Sequence, residues 1–159
     1  MKAPKNRRVF VVGYGAATCL GKTFRQTWQR AARGEAGFKI ISRCTVETAS
    51  NVVGEIPDWN PEEYDFSSKK EAYNWNAAFV ILTMAICKEA LEHAGLQVND
   101  ETGPRTACLM GSAINGSDAF RIAVENLRDR GPLRVSPYLL PNVCANVPAG
   151  KAGMLLGFT

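Results

Sequence analysis

The sequence has very few of the side chains that bind metals. It contains one histidine, His93, and five cysteines, none of which is separated from another by only two residues. Structural zinc sites need closely spaced pairs of cysteine or histidine ligands, so we predict no metal site. An odd number of scattered cysteines is also untypical of a disulfide framework. It favours a reducing compartment, so we predict a cytoplasmic protein with small buried thiols.

Long apolar runs and long runs of one charge are also missing. No stretch approaches the roughly 20 apolar residues that a membrane-spanning helix needs. The apolar run after Arg7 and Arg8 is interrupted by Gly13, which argues against an export signal. The net charge of +4 is spread along the chain, without the basic cluster typical of nucleic-acid binding. We therefore expect neither a membrane nor a nucleic acid as partner, whereas an acidic protein surface stays compatible with the charge.

The composition of the 159 residues is that of a globular domain, with 46% hydrophobic and 21% charged residues. Short apolar or β-branched runs predict strands at residues 9–12, 51–56 and 106–110. Apolar residues at helical spacing predict helices at residues 23–32, 77–94 and 118–130, and a further helix from Asn146 onwards. This alternation predicts an α/β fold with a central sheet. The last helix ends at Gly157, where a further strand is due, so we expect the fold to be incomplete.

Two glycine-containing patterns raise the possibility of a nucleotide site. The segment from Ala16 to Thr23 matches a loose phosphate-loop pattern, with Gly21 and Lys22 at the required spacing. The first position is alanine instead of glycine, however, and no strand ends in an aspartate that could serve magnesium. Gly13-x-Gly15 resembles a dinucleotide motif only weakly, because Thr18 stands where the third glycine belongs. We predict no bound cofactor and keep a P-loop nucleotide-binding protein as an alternative.

Cys144 is the best candidate nucleophile when the residues are considered one by one. It lies in a predicted loop just before a helix N-terminus, where a thiolate can be stabilised. A small buried residue is the more ordinary interpretation of such a cysteine.

The ordered set of motifs resembles the β-ketoacyl-[acyl-carrier-protein] synthases of the elongating type II, which belong to the thiolase-like superfamily. The similar motifs are residues 7–21, Trp28 with Ala36-Gly37-Phe38, Gly111-Ser-Ala-Ile-Asn-Gly116, Gly131-Pro132, Ser136-Pro137-Tyr138 and Asn146-Val-Pro-Ala-Gly150 with Gly157. Together they cover nearly the whole chain. The resemblance implies the N-terminal half of a thiolase-like αβαβα layered fold, incomplete at residues 1–159.

The resemblance also implies an activity. Family members condense an acyl chain, held as a thioester on a cysteine, with malonyl-carrier protein, in fatty acid or polyketide synthesis. The cysteine is expected beyond Thr159 and two histidines further on, so we expect no catalytic residue within this chain and no activity from it alone. Cys144 aligns with an ordinary apolar position. The partners implied are the acyl carrier protein and a second copy in a homodimer, or a synthase subunit in a heterodimer.

Six positions take roles from the resemblance. Ile114 corresponds to the gate of the acyl pocket, and Tyr138 and Leu139 correspond to two adjacent aromatics of the pocket wall. Lys69, Lys70 and Arg134 correspond to basic residues that contact the acidic carrier protein. Such contacts between charges are sensitive to salt.

The sequence also departs from the family pattern. Ala113 and Asn115 replace glycines of the gate turn, which predicts less backbone freedom there. Leu133 and the residues after Lys70 lack positive charges that the family has. A non-catalytic partner subunit of the chain-length-factor type is therefore the second alternative. We further expect residues 1–159 alone to be poorly stable, because apolar faces and a sheet edge are left uncovered.

Overall fold

The computed structural model describes residues 8–44, 48–60, 63 and 77–158. Four α-helices lie in this part of the chain, and we call them α1 (Phe24–Ala32), α2 (Ala78–Ala94), α3 (Ser117–Arg130) and α4 (Val147–Leu156). Two short strands, β1 (Lys39–Ile40) and β2 (Val52–Val53), pair antiparallel, with Lys39 opposite Val53. Two 3-10 turns cover Gly103–Arg105 and Pro132–Arg134.

The four predicted helices are confirmed, and several of their ends are capped by side chains or by glycine. The Thr23 hydroxyl accepts a hydrogen bond from the Gln26 N–H at 3.3 Å and so caps α1. Gly95 and Gly157 end α2 and α4 in the left-handed conformation, with φ of 62° and 80°. Asn146 occupies the N-cap of α4, but its side chain makes no capping hydrogen bond.

The described core is centred on α2. Val80, Ile81 and Met84 are buried on one face of this helix, and half-buried Trp59 and Val147 pack against them. Val147 is the first residue of α4, so the contact holds α4 against α2. Burial of side chains of this size stabilises a fold by about 1.5–3 kcal/mol each. The core therefore fixes the position of α4 and of the chain that leads into it.

The predicted central sheet is absent from the part of the chain that the structure describes. Residues 9–12 and 106–110 are not hydrogen-bonded into a ladder, and the strand predicted at 51–56 shrinks to Val52–Val53. Its partner, Lys39–Ile40, was not predicted. A strand is held by ladder hydrogen bonds to a neighbour, and the described residues offer none to these two apolar runs. The strands predicted at residues 9–12 and 106–110 are therefore not formed in the described part of the chain, and the α/β prediction is confirmed there only in part.

Gly13 and Gly15 allow the segment after residue 12 to lie directly on α2. A Cβ atom at position 13 would overlap the Ala90 carbonyl oxygen, and one at position 15 would overlap the Ile86 carbonyl oxygen. Tyr14, between them, contacts Phe24 and His93, with ring centroids 4.1 Å and 3.9 Å apart. These glycines therefore serve close packing of backbone on a helix instead of dinucleotide binding.

Several apolar side chains outside this core stay exposed. Val9, Val11 and Leu109 are 91%, 87% and 93% exposed. They belong to the two runs predicted as strands. Among the described residues, no helix has the length and apolar character needed to cross a membrane.

Candidate functional site

The turn from Gly111 to Gly116 presents Ile114 at the surface. Ile114 is 81% exposed, and the Ser112 hydroxyl donates to its carbonyl oxygen at 3.3 Å. Only Gly116 of this turn has positive φ, at 57°. Ala113 and Asn115 therefore occupy positions that side chains tolerate, so the expected loss of backbone freedom from replacing glycine does not strain the turn.

Tyr138 and Leu139 lie in a compact turn before α4. The Leu139 N–H donates to the Ser136 carbonyl oxygen at 3.1 Å, and the Tyr138 N–H donates to the Ser136 hydroxyl at 3.2 Å. The Asn142 N–H then closes the turn on the carbonyl oxygens of Tyr138 and Leu139, at 3.1 Å and 3.0 Å. Both side chains are half-buried. These hydrogen bonds fix the backbone from which the side chains of Tyr138 and Leu139 project.

The two turns meet at Asn142. A Cβ atom at position 116 would overlap the carbonyl oxygen of Asn142, so only glycine fits there. The Asn142 Oδ1 atom accepts a hydrogen bond from the N–H of buried Ala77 at 3.0 Å, just before α2. The structure thus brings the turn of Ile114 and the turn of Tyr138 and Leu139 together against the start of α2.

The predicted docking residues are only partly described. Arg134 is exposed at the end of the 3-10 turn that packs against α3, and its neighbour Leu133 is 97% exposed. Arg134 therefore lies at the surface, a short way before Tyr138 in the same segment. Lys69 and Lys70 lie outside the described residues.

The loop that matched the phosphate pattern is occupied by a carboxylate of the chain itself. Glu89 on α2 accepts hydrogen bonds from the N–H groups of Ala16, at 2.9 Å, and Phe24, at 2.8 Å. The Lys22 N–H donates to the Gln26 side chain, and the Lys22 ammonium group forms a 2.7 Å ion pair with Glu63. The groups that would bind a phosphate are therefore already used within the protein. This geometry disfavours the P-loop alternative.

The described cysteines do not form a reactive site. Burial, and secondarily the neighbouring Cys108 thiol, raise the pKa of Cys87 to about 11, so this group stays a neutral thiol at physiological pH. Cys144 is exposed, outside the core, and so is not the buried residue that its pattern suggested. Within the described ranges, no group of three or more His, Cys, Asp or Glu side chains is arranged to hold a metal ion.

Two long-range contacts were not predicted from the sequence. Asn142 and Glu89 both connect segments far apart in the chain through backbone N–H groups. Asn142 follows Pro141 in a predicted loop, and Glu89 lies among the charged residues of a predicted amphipathic helix. Neither has a local pattern that would predict its partner.

Comparisons with known proteins agree with the resemblance seen in the motifs. The family model of the β-ketoacyl synthase N-terminal domain matches residues 6–159. The chain is 34% identical to 3-oxoacyl-[acyl-carrier-protein] synthase 2 of Staphylococcus aureus (strain N315), over 96% of this chain and 36% of that protein. It is 30% identical to the protein of the same name from Vibrio cholerae (serotype O1), over 95% of this chain and 36% of that protein.

Comparison with solved structures shows that the fold is similar to that of ketosynthases. The ishigamide ketosynthase/chain length factor superposes with a TM-score of 0.74 at 21% identity, over 93% of this chain and 36% of that one. A type II polyketide synthase acyl-carrier protein in complex with its ketosynthase, bound to the hexaketide, also gives 0.74, at 19% identity, over 94% of this chain and 40% of that one.

The chain spans 36% of the length of the curated relatives it matches. Its match to the family model nevertheless runs from residue 6 to residue 159. The chain therefore belongs to the β-ketoacyl synthase family, and its residues 6–159 match the model of that family's N-terminal domain.

Proposed function

We propose that the whole protein containing this chain is a 3-oxoacyl-[acyl-carrier-protein] synthase. The observation that supports this proposal most strongly is the match of residues 6–159 to the family model. The reaction transfers an acyl group from a carrier thioester to a cysteine thiolate and releases the carrier thiol. Loss of CO2 from malonyl-carrier protein then gives a carbanion equivalent that attacks the acyl thioester and frees the cysteine. The products are 3-oxoacyl-carrier protein and CO2.

Within that reaction, this chain would bind and orient the acyl group and the carrier. Ile114 would gate the acyl pocket, and Tyr138 and Leu139 would form part of its wall. Their support is that the two turns carrying these residues meet at Gly116 and Asn142. The αβαβα layering, a homodimer and a cytoplasmic location belong to the same proposal, and the cysteine and the two histidines would come from outside residues 1–159.

The test is the acylation of the whole protein. Acyl-carrier protein should add one acyl group to the protein, seen as a shift in its intact mass, and malonyl-carrier protein should then remove that mass and yield 3-oxoacyl-carrier protein. The absence of both the adduct and the product would reject the synthase. It would favour the non-catalytic partner subunit, which the fold of a ketosynthase/chain length factor keeps as the second candidate.

The carrier surface would include Arg134, together with Lys69 and Lys70. Arg134 is exposed and the chain carries a net charge of +4, which suits an acidic partner. We expect Arg134→Glu to raise the KM for acyl-carrier protein by about fivefold, since an exposed ion pair contributes up to about 1 kcal/mol. The kcat value should stay unchanged, and added salt should shrink the difference.

The matched control is Arg105→Glu, which reverses an exposed arginine at the end of the other 3-10 turn. Its KM should equal that of the wild type. Equal KM increases in the two variants would mean that overall charge, instead of a docking surface at Arg134, controls carrier binding.

A further inference from the structure

One residue, Asn142, connects the two turns of the candidate pocket to the start of α2. The main-chain N–H of Asn142 closes the turn that carries Tyr138 and Leu139, at 3.1 Å and 3.0 Å from their carbonyl oxygens. Its side-chain Oδ1 accepts from the Ala77 N–H at 3.0 Å, across 65 residues of chain. Asn142 thereby joins a local turn to a distant helix start.

The Ala77 N–H lies at the buried start of α2, and its hydrogen bond in the structure is to Asn142. Ala77 is the N-cap residue of α2, and its own side chain makes no capping hydrogen bond. Ala77 is buried, with 6% exposure, and α2 behind it carries the core residues Val80, Ile81 and Met84. A buried N–H that loses its acceptor destabilises the fold, so this hydrogen bond holds the turn of Tyr138 and Leu139 in one place against α2.

The gate turn is held at the same point. Gly116 packs on the main-chain carbonyl of Asn142 so closely that no Cβ atom would fit. A displacement of Asn142 therefore moves both the Tyr138–Leu139 turn and the end of the turn that presents Ile114. Packed contacts of this kind transmit small shifts instead of absorbing them.

We infer that Asn142 is a positioning residue that sets the acyl-chain selectivity of the pocket, through its hydrogen bond to Ala77 and its contact with Gly116. This inference rests on the proposed function. Asn142 would act through the two turns that it connects and not by contact with the acyl group or the carrier. It fixes the distance between the gate side chain and the wall side chains, and hence the space for the acyl chain.

The experiment measures acylation of the whole protein with a series of acyl-carrier proteins of increasing chain length. Asn142→Leu keeps a similar volume but removes the acceptor for the Ala77 N–H. Asn142→Asp keeps an oxygen acceptor at that position, and its negative charge suits a helix N-terminus. We expect Asn142→Leu to change the ratio of kcat/KM between the longest and shortest accepted chains by about tenfold, a change of about 1.4 kcal/mol. Asn142→Asp should restore the ratio to within about twofold of the wild type.

A purely structural role would give another result. It would lower kcat/KM by one common factor for every chain length, in proportion to the fraction of folded protein. That outcome would overturn the inference, as would an Asn142→Asp variant with the same altered ratio as Asn142→Leu. Asn146→Leu is the matched control, because Asn146 is exposed and makes no capping hydrogen bond. It should leave the ratio unchanged.

Two further measurements keep the test decisive. If Asn142→Leu fails to fold, Asn142→Ser is used, since its short polar side chain cannot reach Ala77 and should give the same changed ratio. Hydrogen exchange at the Ala77 amide should accelerate in that variant and not in Asn142→Asp. A wild type that accepts no acyl group would reject the proposed function itself. An active wild type with an unchanged ratio in Asn142→Ser would reject only the role of Asn142.

Discussion

At the scale of single residues, Glu89 links α2 to the loop and helix that precede it in the chain. One carboxylate accepts the Ala16 N–H on Oε2 and the Phe24 N–H on Oε1. Phe24 is the first residue of α1, so the negative charge also lies where the helix dipole favours it. The loose phosphate-loop pattern would allow a phosphate at this position, whereas the structure fills it with the Glu89 side chain.

We expect Glu89→Ala to lower the free energy of unfolding by about 3 kcal/mol, since each of two hydrogen bonds to a charged acceptor contributes about 1.5 kcal/mol or more. Urea unfolding of the whole protein measures it. Glu92→Ala, at an exposed position of the same helix, is the control and should change the value by less than about 0.5 kcal/mol. Similar values for the two variants would show that the Glu89 contacts add nothing.

Glu55 is held as a carboxylate beside the two-stranded sheet. The Ser42 hydroxyl, at 2.6 Å, and the Ser42 N–H, at 3.0 Å, are the main causes that lower its pKa to about 2 from the ordinary 4.5. Partial burial opposes this shift. The Lys39 ammonium group at 3.2 Å and the Arg43 N–H at 3.3 Å add to it. The charged form is therefore favoured in the folded protein.

A pKa that folding lowers gives stability that is fully present above about pH 4.5 and is lost as the pH falls towards about 2. We expect Glu55→Gln to reduce the urea midpoint most at neutral pH, with the difference from wild type narrowing steadily below about pH 4.5. Glu101→Gln, an exposed position in the loop after α2, should show no such pH-dependent difference. A gap of constant size at all pH values would contradict the assignment of Glu55.

At the scale of elements, two glycines decide how closely the segment of residues 13–15 approaches α2. Gly13 lies against the Ala90 carbonyl and Gly15 against the Ile86 carbonyl, one turn further back along the helix. Both glycines are visible in the sequence, but a glycine pair fits a turn, a nucleotide loop or a close packing equally well. Only the position of α2 selects the last of these.

Alanine at two glycine positions should therefore have opposite effects. Gly13→Ala must push the segment off the helix, and we expect a loss of about 1–3 kcal/mol in the free energy of unfolding. Gly150 lies within α4, and a Cβ atom there would meet no atom within 4 Å apart from the adjacent residues and the backbone of the helix itself, so we expect Gly150→Ala to gain about 0.5–1 kcal/mol from helix propensity alone. Thermal or urea unfolding of both variants measures these changes in the free energy of unfolding. An unchanged stability of Gly13→Ala would contradict the close approach of residue 13 to α2.

At the scale of the whole molecule, the described residues leave two apolar runs without a ladder partner. Val9, Val11 and Leu109 each expose more than four fifths of their surface, at 91%, 87% and 93%. Unpaired apolar segments of this kind expose backbone donors and acceptors together with apolar side chains, and both promote association between chains.

We expect the isolated chain of residues 1–159 to bind the dye ANS and to self-associate. The double variant Val9→Lys with Leu109→Lys should reduce both dye binding and light scattering, because charges on exposed strands oppose pairing. The matched control, Lys88→Arg on the exposed face of α2, should behave like the unaltered chain. A soluble monomer that unfolds cooperatively and binds no dye would contradict this prediction.

The sequence by itself determined the helices and the family. Periodic apolar residues and Gly95 as a stop act within one or two turns, so their effects are visible in the local sequence. The ordered motifs from residue 7 to Gly157 carried enough specificity to indicate the ketoacyl synthase family, to which the match over residues 6–159 assigns the chain.

Tertiary structure alone decided which segments meet. Asn142 contacts Ala77 across 65 residues, and Glu89 contacts Ala16 across 73. Strands needed partners that a run of apolar residues cannot specify, so residues 9–12 and 106–110 were overpredicted and Lys39–Ile40 was missed. Long-range hydrogen bonds and close packing depend on where distant helices lie in space. A local pattern of residues does not specify those positions.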